Sequence, residues 1–367
     1  MHRHPTIRPF RGPVIGLVAF ALVAAACSGS DESTASTSFS TIAPTTSTSS
    51  TTTTSTSTTV ERTTTTVEAT TTTVPGPPVY PLTGILVADP AIAARPALVV
   101  KIDNASAARP QTGFNAADLV FEEIVNDNLT RFAMVFQSGG SDPVGPIRSG
   151  RIQDIDLFGS FNHPLFAWSG GNATVTAAIR ASDLVELGPS VARVYFRTSD
   201  RKVPHNLYSN TTALWGFTPY LAGPPPQQFR YRSDGEPAAG VAALGVGVAL
   251  DSINAEWEWD PASSLYMRTM EGRPHNDAAG GRVSANNVVV LVMEYLPGIS
   301  GSPDAQTLGT GEAFVFTAGN YIHGTWTRND RLQPFTLTAD DGSPIELTPG
   351  RTFIELPRNG STLPFPA

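Results

Sequence analysis

An α/β domain built on a mixed sheet, followed by a mainly antiparallel β domain, is the fold class this sequence predicts. Three observations predict it. Between residues 80 and 222, short β-branched runs such as Ala97-Leu98-Val99-Val100-Lys101-Ile102-Asp103 alternate with segments whose apolar residues recur at helical spacing. From 244 to 358 the apolar residues alternate by two and turn residues recur between the runs, as in antiparallel strands. Gly223-Pro224-Pro225-Pro226 separates the regions and opens a linker over 223–243.

In chain order, Met1 to Ala26 has the three parts of an export signal. Arg3, Arg8 and Arg11 give the positive start, Val14 to Val23 the apolar core, and Ala24-Ala25-Ala26 the cleavage region. The apolar run is shorter than the roughly 20 residues of a membrane span. Cys27-Ser28-Gly29-Ser30 follows at the cleavage point and is similar to a bacterial lipobox, which implies that Cys27 carries a diacylglycerol and becomes the mature N-terminus. Segment 28–79 is dominated by Thr and Ser, with scattered Val, Glu and Pro. It lacks the apolar surface that offsets chain entropy, so a disordered tether is expected, spanning roughly 40 Å as a coil.

Strands are expected at 97–103, 119–124, 131–136, 165–168 and 194–196. Ile152, Ile155, Asp156 and Phe158 have helical spacing after Arg151. Asn172 is placed to cap a helix carrying Val175, Ala178 and Ile179, and Asn210 one running through Leu214 and Trp215. In the second half, 255–259 and 265–268 make one hairpin, 313–316 and 321–326 another, with further strands at 288–293 and 351–356. Residues 359–367 form a tail.

The bulk numbers limit the function. A net charge of −8 with 15 % charged residues argues against nucleic acid as a partner, since phosphate binding needs a large basic surface. Cys27 is the only cysteine, so neither an intramolecular disulfide nor a cysteine metal cluster can form. His163, His205, His275 and His323 are scattered without metal-ligand spacing, and no metal or cofactor is implied.

Two polar knots stand out, Gly145-Pro146-Ile147-Arg148-Ser149-Gly150-Arg151 and Ser199-Asp200-Arg201-Lys202-Val203-Pro204-His205-Asn206-Leu207-Tyr208. Polar loops between apolar strands are where binding groups concentrate, and the two are expected to converge on one cleft. These knots, together with Pro81-Leu82-Thr83-Gly84, Lys101-Ile102-Asp103-Asn104, Arg109-Pro110-Gln111 and Thr130-Arg131-Phe132, resemble the YerB-like bacterial lipoproteins. Trp257-Glu258-Trp259-Asp260, Gly324-Thr325-Trp326 and Pro349-Gly350-Arg351-Thr352 resemble that family's second domain. The resemblance runs over about residues 81 to 357. It implies a two-domain envelope lipoprotein and supplies no catalytic residues.

Ser199 and Lys202 match Ser-x-x-Lys, but Pro204 disfavours the helix that motif needs, and its partner motifs are absent. A cysteine-dependent transpeptidase is excluded, because Cys27 serves the anchor. Ser149 or Ser169 with His205 and Asp103 would compose a triad, without a nucleophile elbow around either serine. Arg109, Arg148, Arg151 and Arg201 offer planar forks for carboxylate or phosphate, with His205 and Asn206 orienting a ligand. Asp103, Asn104, Arg131 and Lys202 complete the candidate set. Against this stands the plainer reading, in which Asp103, Glu122, Arg131 and Arg148 pair to hold loops to strand ends. Trp257, Trp259 and Trp326 read either as core or as a glycan-stacking platform.

The sequence therefore points to a lipid-anchored, extracytoplasmic binding or accessory module with an Arg/His cleft. Its expected partners are membrane lipid through acylated Cys27 and a cell-wall component or envelope protein, in the setting of cell-wall assembly. The alternative is a hydrolase or transferase acting on wall polymer through His205 with Asp103 or Glu122.

Overall fold

Near-continuous apolar runs dictate the centre of the fold. The computed structural model describes residues 77–126, 128–233 and 235–361. In it the first runs become β1 (Leu98–Asp103), β2 (Leu119–Ile124) and β3 (Thr130–Phe136), each buried along its whole length. Runs without a polar face require cover on both sides, and they have it. β3 lies between β2 and β1, antiparallel to both. β4 (Leu165–Ala167) and β5 (Val185–Glu186) extend the sheet from β1 in parallel. The N-terminal part is thus a mixed sheet.

Its helices are short: besides the single turn Pro90–Ala93 they are α1 (Gln153–Leu157), α2 (Ala173–Ala181) and α3 (Thr211–Trp215). Asn172 caps α2 by accepting the Val175 N–H at 2.9 Å, and Val175 and Ile179 form its buried face. Asn210 precedes α3 but makes no side-chain cap bond. The side chain that acts there is Thr211, whose Oγ1 accepts the Ser141 N–H at 2.9 Å.

The C-terminal part is built from antiparallel hairpins. β6 (Gly245–Leu250), β7 (Ile253–Asp260) and β8 (Leu265–Met270) lead a five-stranded sheet. β9 (Asn287–Leu291), β10 (Gly309–Thr317), β11 (Asn320–Arg328) and β12 (Thr336–Ala339) pair antiparallel in sequence. The last strand, β13 (Thr352–Leu356), inserts between β9 and β2, parallel to both. One eleven-stranded sheet therefore runs β12-β11-β10-β9-β13-β2-β3-β1-β4-β5, with Val241–Ala242 added beside β11. Both halves of the chain share it. The segment between them is itself paired, Arg230–Tyr231 against Glu346–Leu347 and Val241–Ala242 against β11.

One face of the large sheet packs on the smaller sheet through Phe114, Phe132, Phe353, Trp257 and Tyr266. The other packs under α1, α2 and the loops through Phe158, Phe161 and Trp168. Trp257 and Trp326 are 1 % and 2 % exposed, and Trp259 packs on Tyr266 with ring centres 4.8 Å apart. Trp257 and Trp326 are core residues and Trp259 is half-buried against the same core, so the three do not form a shared exposed platform for sugars. Among the described residues no helix is long and apolar enough to cross a membrane. The export signal, Cys27, residues 28–76 of the tether and residues 362–367 of the tail lie outside the described residues.

Candidate functional site

Strand alternation puts Lys101 and Asp103 of β1 on one face and Ile102 on the other. The register sets Asp103 opposite Arg131 on β3, and Arg131 opposite Glu123 on β2. The 145–151 loop lies along the end of this row. Asp103 N–H donates to Pro146 O at 2.9 Å, and Arg148 N–H to Lys101 O at 2.8 Å. The 199–208 segment then docks on the loop, with Ile147 N–H donating to Leu207 O at 2.6 Å. Gly145 (φ +153°) permits this approach, since a Cβ there would sit 2.6 Å from the Tyr208 ring. The two polar knots converge.

Their meeting point is the Asp103 carboxylate. Its Oδ2 lies 2.7 Å from His205 Nδ1 and 3.3 Å from Arg148 Nε, and its side chain is 5 % exposed against 28 % for Arg148. Behind it is a second, fully buried charge group. Lys101 Nζ is 2.8 Å from Asp154 Oδ1 and also contacts Glu123. Burial pulls this amine down to about 8. Arg131 Nη1 donates to Ser149 O at 2.9 Å. Burial, then the neighbouring Arg151 and Arg148, pull its guanidinium down to about 9. Arg151 donates from Nη2 to Asn126 Oδ1 at 2.7 Å, and its backbone N–H to Asp154 Oδ2 at 2.6 Å. The 145–151 loop is therefore pinned at Arg148, Ser149 and Arg151 and carries a concentration of positive charge.

Two cavities open along this loop and meet at Ser149 and Ser169. The first, of about 440 Å³, is lined by Arg148, Tyr195, Phe196, Arg197 and Pro204 besides the two serines. The second, of about 340 Å³, is lined by Arg151, the Gly170–Asn172 turn and Ser300 and Ser302. Asp103 and His205 line neither; they stand behind Arg148 and hold it. Arg197 Nη1 bonds Asn206 Oδ1 at 2.8 Å, and Phe196 is 41 % exposed.

Several candidates lie elsewhere. Arg201 reaches back to the Ala108 and Pro110 carbonyls, the latter at 2.7 Å, so its fork is used in holding loops together. Asn206 is buried, donating to Thr198 O and Arg201 O. Lys202 is exposed, and its carbonyl accepts the His205 N–H at 2.9 Å. The Ser199–Lys202 stretch is a bend without helix.

Asn104 and Glu122 require correction. Glu122 pairs in register with Phe132, so its side chain enters the opposite face from Asp103 and cannot assist His205. There it is fully buried against Arg268, while Asn104 Nδ2 bonds it at 3.2 Å and Arg109 Nε bonds Asn104 Oδ1 at 3.1 Å. Arg268 Nη1 also donates to His275 Nδ1 at 2.7 Å, and His275 Nε2 donates to Gln111 Oε1 at 3.1 Å. That pattern holds His275 neutral, and burial followed by Arg268 lowers its pKa well below 6.5. Among the described residues no group of His, Asp and Glu is arranged to hold a metal ion.

Sequence reasoning missed Arg197, Phe196 and Arg268. Arg268 had a signal: it shares strand parity with Tyr266, so alternation already pointed it inward. Arg197 had none beyond its proximity to the 199–208 knot.

Comparison with known proteins agrees with this architecture. Residues 82–221 match the family model "Protein of unknown function (DUF3048) N-terminal domain", and residues 246–354 match the corresponding C-terminal domain. The chain is 27 % identical over 287 residues to the Bacillus subtilis (strain 168) protein named "Putative lipoprotein YerB", covering 75 % of this chain and 85 % of that one. It is similar in fold to the crystal structure of YerB from Bacillus subtilis, with a TM-score of 0.68 at 22 % identity over 78 % of this chain and 99 % of that one.

Proposed function

The chain belongs to the DUF3048 family in both its N-terminal and C-terminal domains, and from that premise we propose a lipid-anchored envelope protein whose cleft beside Arg148 binds an anionic wall glycan. One observation carries the reading. Arg148 and Arg197 stand in one 440 Å³ cleft with the Ser149 and Ser169 hydroxyls and the exposed ring of Phe196. Guanidinium forks suit carboxylate or phosphate, hydroxyls suit sugar oxygens, and an exposed aromatic face suits the apolar face of a pyranose. The anchor rests on Cys27 at the end of an export signal and on the name of the Bacillus relative.

The His205–Asp103 contact at 2.7 Å is the feature that favours hydrolysis. Neither residue lines the cleft, so we assign the pair to positioning Arg148. The test is retention of muramic-acid-containing glycan fragments by the full chain, with product analysis in parallel. Arg148→Ala and Arg197→Ala should each weaken retention about tenfold, the worth of a lost charge-assisted bond. Fragment turnover that disappears in His205→Ala would instead establish the hydrolase. Palmitate labelling lost in Cys27→Ala tests the anchor.

A further inference from the structure

The second cavity has features that the glycan reading leaves unused. β4 ends at Ala167, and Ser169-Gly170-Gly171-Asn172 then turns the chain into α2, a nine-residue helix. Gly170 has φ +99°, and a Cβ added there would meet nothing within 4 Å. The turn thus needs a glycine and presents bare backbone to open space. The Ala173 and Thr174 N–H groups at the start of α2 have no partner among the described residues. A helix N-terminus of this kind carries partial positive charge.

An independent observation comes from another residue of the same lining. Ser302 lines the same cavity, is 5 % exposed, and its buried Oγ has no hydrogen-bond partner among the described residues. A buried hydroxyl without a partner is destabilising unless something bonds it. Ser149, Ser169 and Ser300 bring further hydroxyls to this wall, and the Arg151 guanidinium brings fixed charge. Every lining polar group named here except Asn126 and Asn172 donates only or can turn a hydroxyl proton inward. Among the described residues no carboxylate lines the cavity.

The geometry points to a phosphoryl subsite at the N-terminus of α2, closed by Ser302 and Arg151 and continuous with the Arg148 cleft through Ser149 and Ser169. It rests on the reading of that cleft as a glycan site and names the ligand more closely, as a phosphate-bearing glycan or polyol. Three acceptor oxygens in a tetrahedral array suit converging amides and hydroxyls better than a planar carboxylate does.

The test is a titration of the full chain, ¹⁵N-labelled, with inorganic phosphate at constant ionic strength. Saturable shifts of the Gly170, Gly171, Ala173 and Thr174 amides are expected. Ser302→Ala, which breaks no internal bond, should weaken phosphate about fivefold. Arg151→Gln should do the same. Shifts that are absent, unsaturable or indifferent to Ser302→Ala overturn the subsite. Displacement of phosphate by soluble sn-glycerol 3-phosphate assigns the group to a polyol phosphate. Displacement by phosphatidylglycerol vesicles alone assigns it to a lipid headgroup, and displacement by neither overturns the proposal. Glycan retention that survives loss of phosphate binding sinks only the subsite. Phosphate binding that survives while glycan retention is absent sinks the cleft reading.

Discussion

Glu355→Gln should change how stability depends on pH, by an amount the structure sets. Glu122 of β2 and Glu355 of β13 are register partners on neighbouring strands, both fully buried and both facing Arg268. Two carboxylates about 5 Å apart repel by about 3 kcal/mol at an effective dielectric of 20, and one guanidinium neutralises only one of them. One proton is therefore retained. Glu355 Oε1 accepts from Trp257 Nε1 at 2.9 Å, and its Oε2 receives no donor. Burial first, then Glu122, push this carboxyl from 4.5 to about 8.

The sign follows from proton counts. Between pH 4.5 and 8 the folded chain holds a proton that the unfolded chain has released, so stability falls as pH rises. At 1.36 kcal/mol per unit, about 3 kcal/mol is lost between pH 5 and 7.5 from this group alone. The Gln variant has no proton to hold and lacks that slope. Urea unfolding of wild type and Glu355→Gln at both pH values is the assay, and groups common to the two proteins cancel in the difference. The variant should gain about 3 kcal/mol on wild type between pH 5 and 7.5. A difference that stays constant with pH would refute the shared proton.

Other outcomes follow from the same geometry. Asp103→Ala strands Arg148 Nε and His205, and should cost about 3 kcal/mol in urea unfolding while weakening glycan retention as Arg148→Ala does; a loss under 0.5 kcal/mol would mean the carboxylate is not the brace. Asn172→Ala removes the bond to Val175 N–H and should lower stability by about 1 kcal/mol, a melting shift of about 2–3 °C; an unchanged melting point would remove the cap from the account. His323 sits between Asp340 (2.7 Å) and Glu312 (3.0 Å), and its bond to Asp340 chiefly raises its pKa above 6.5. Its stabilising contribution is full below pH 6.5 and lost as pH rises through the folded value; solvent screening keeps it under about 1 kcal/mol, and an imidazole titrating below 6.5 by NMR would contradict the pairing.

Strands such as 119–124 were legible because an unbroken apolar run has few folded fates, and Asn172 was legible because its cap is made within three residues of itself. The same local reasoning misjudged Asn210, where Thr211 found a distant partner in Ser141. Glu122 shows the limit more sharply. Its neighbour Glu123 lies on the face of Lys101, while Glu122 lies on the face of Arg268, 146 residues away. Composition cannot tell adjacent carboxylates apart. Only strand parity combined with what covers each face can do so, and that cover comes from another part of the chain.

Residue types, short-range spacing and turn chemistry are local properties, and they alone determined the two fold classes, the capped helix and the polar loops able to carry a site. The tertiary structure decided which of those polar groups share a cavity. Inserting β13 between β9 and β2 joins both halves in one sheet. Docking 199–208 on 145–151 then turns Arg201 toward backbone carbonyls and leaves Arg148 and Arg197 at the cleft. The physical reason is that a side chain's role depends on the burial and partners supplied by residues far away in sequence, and those are fixed only when the chain closes on itself.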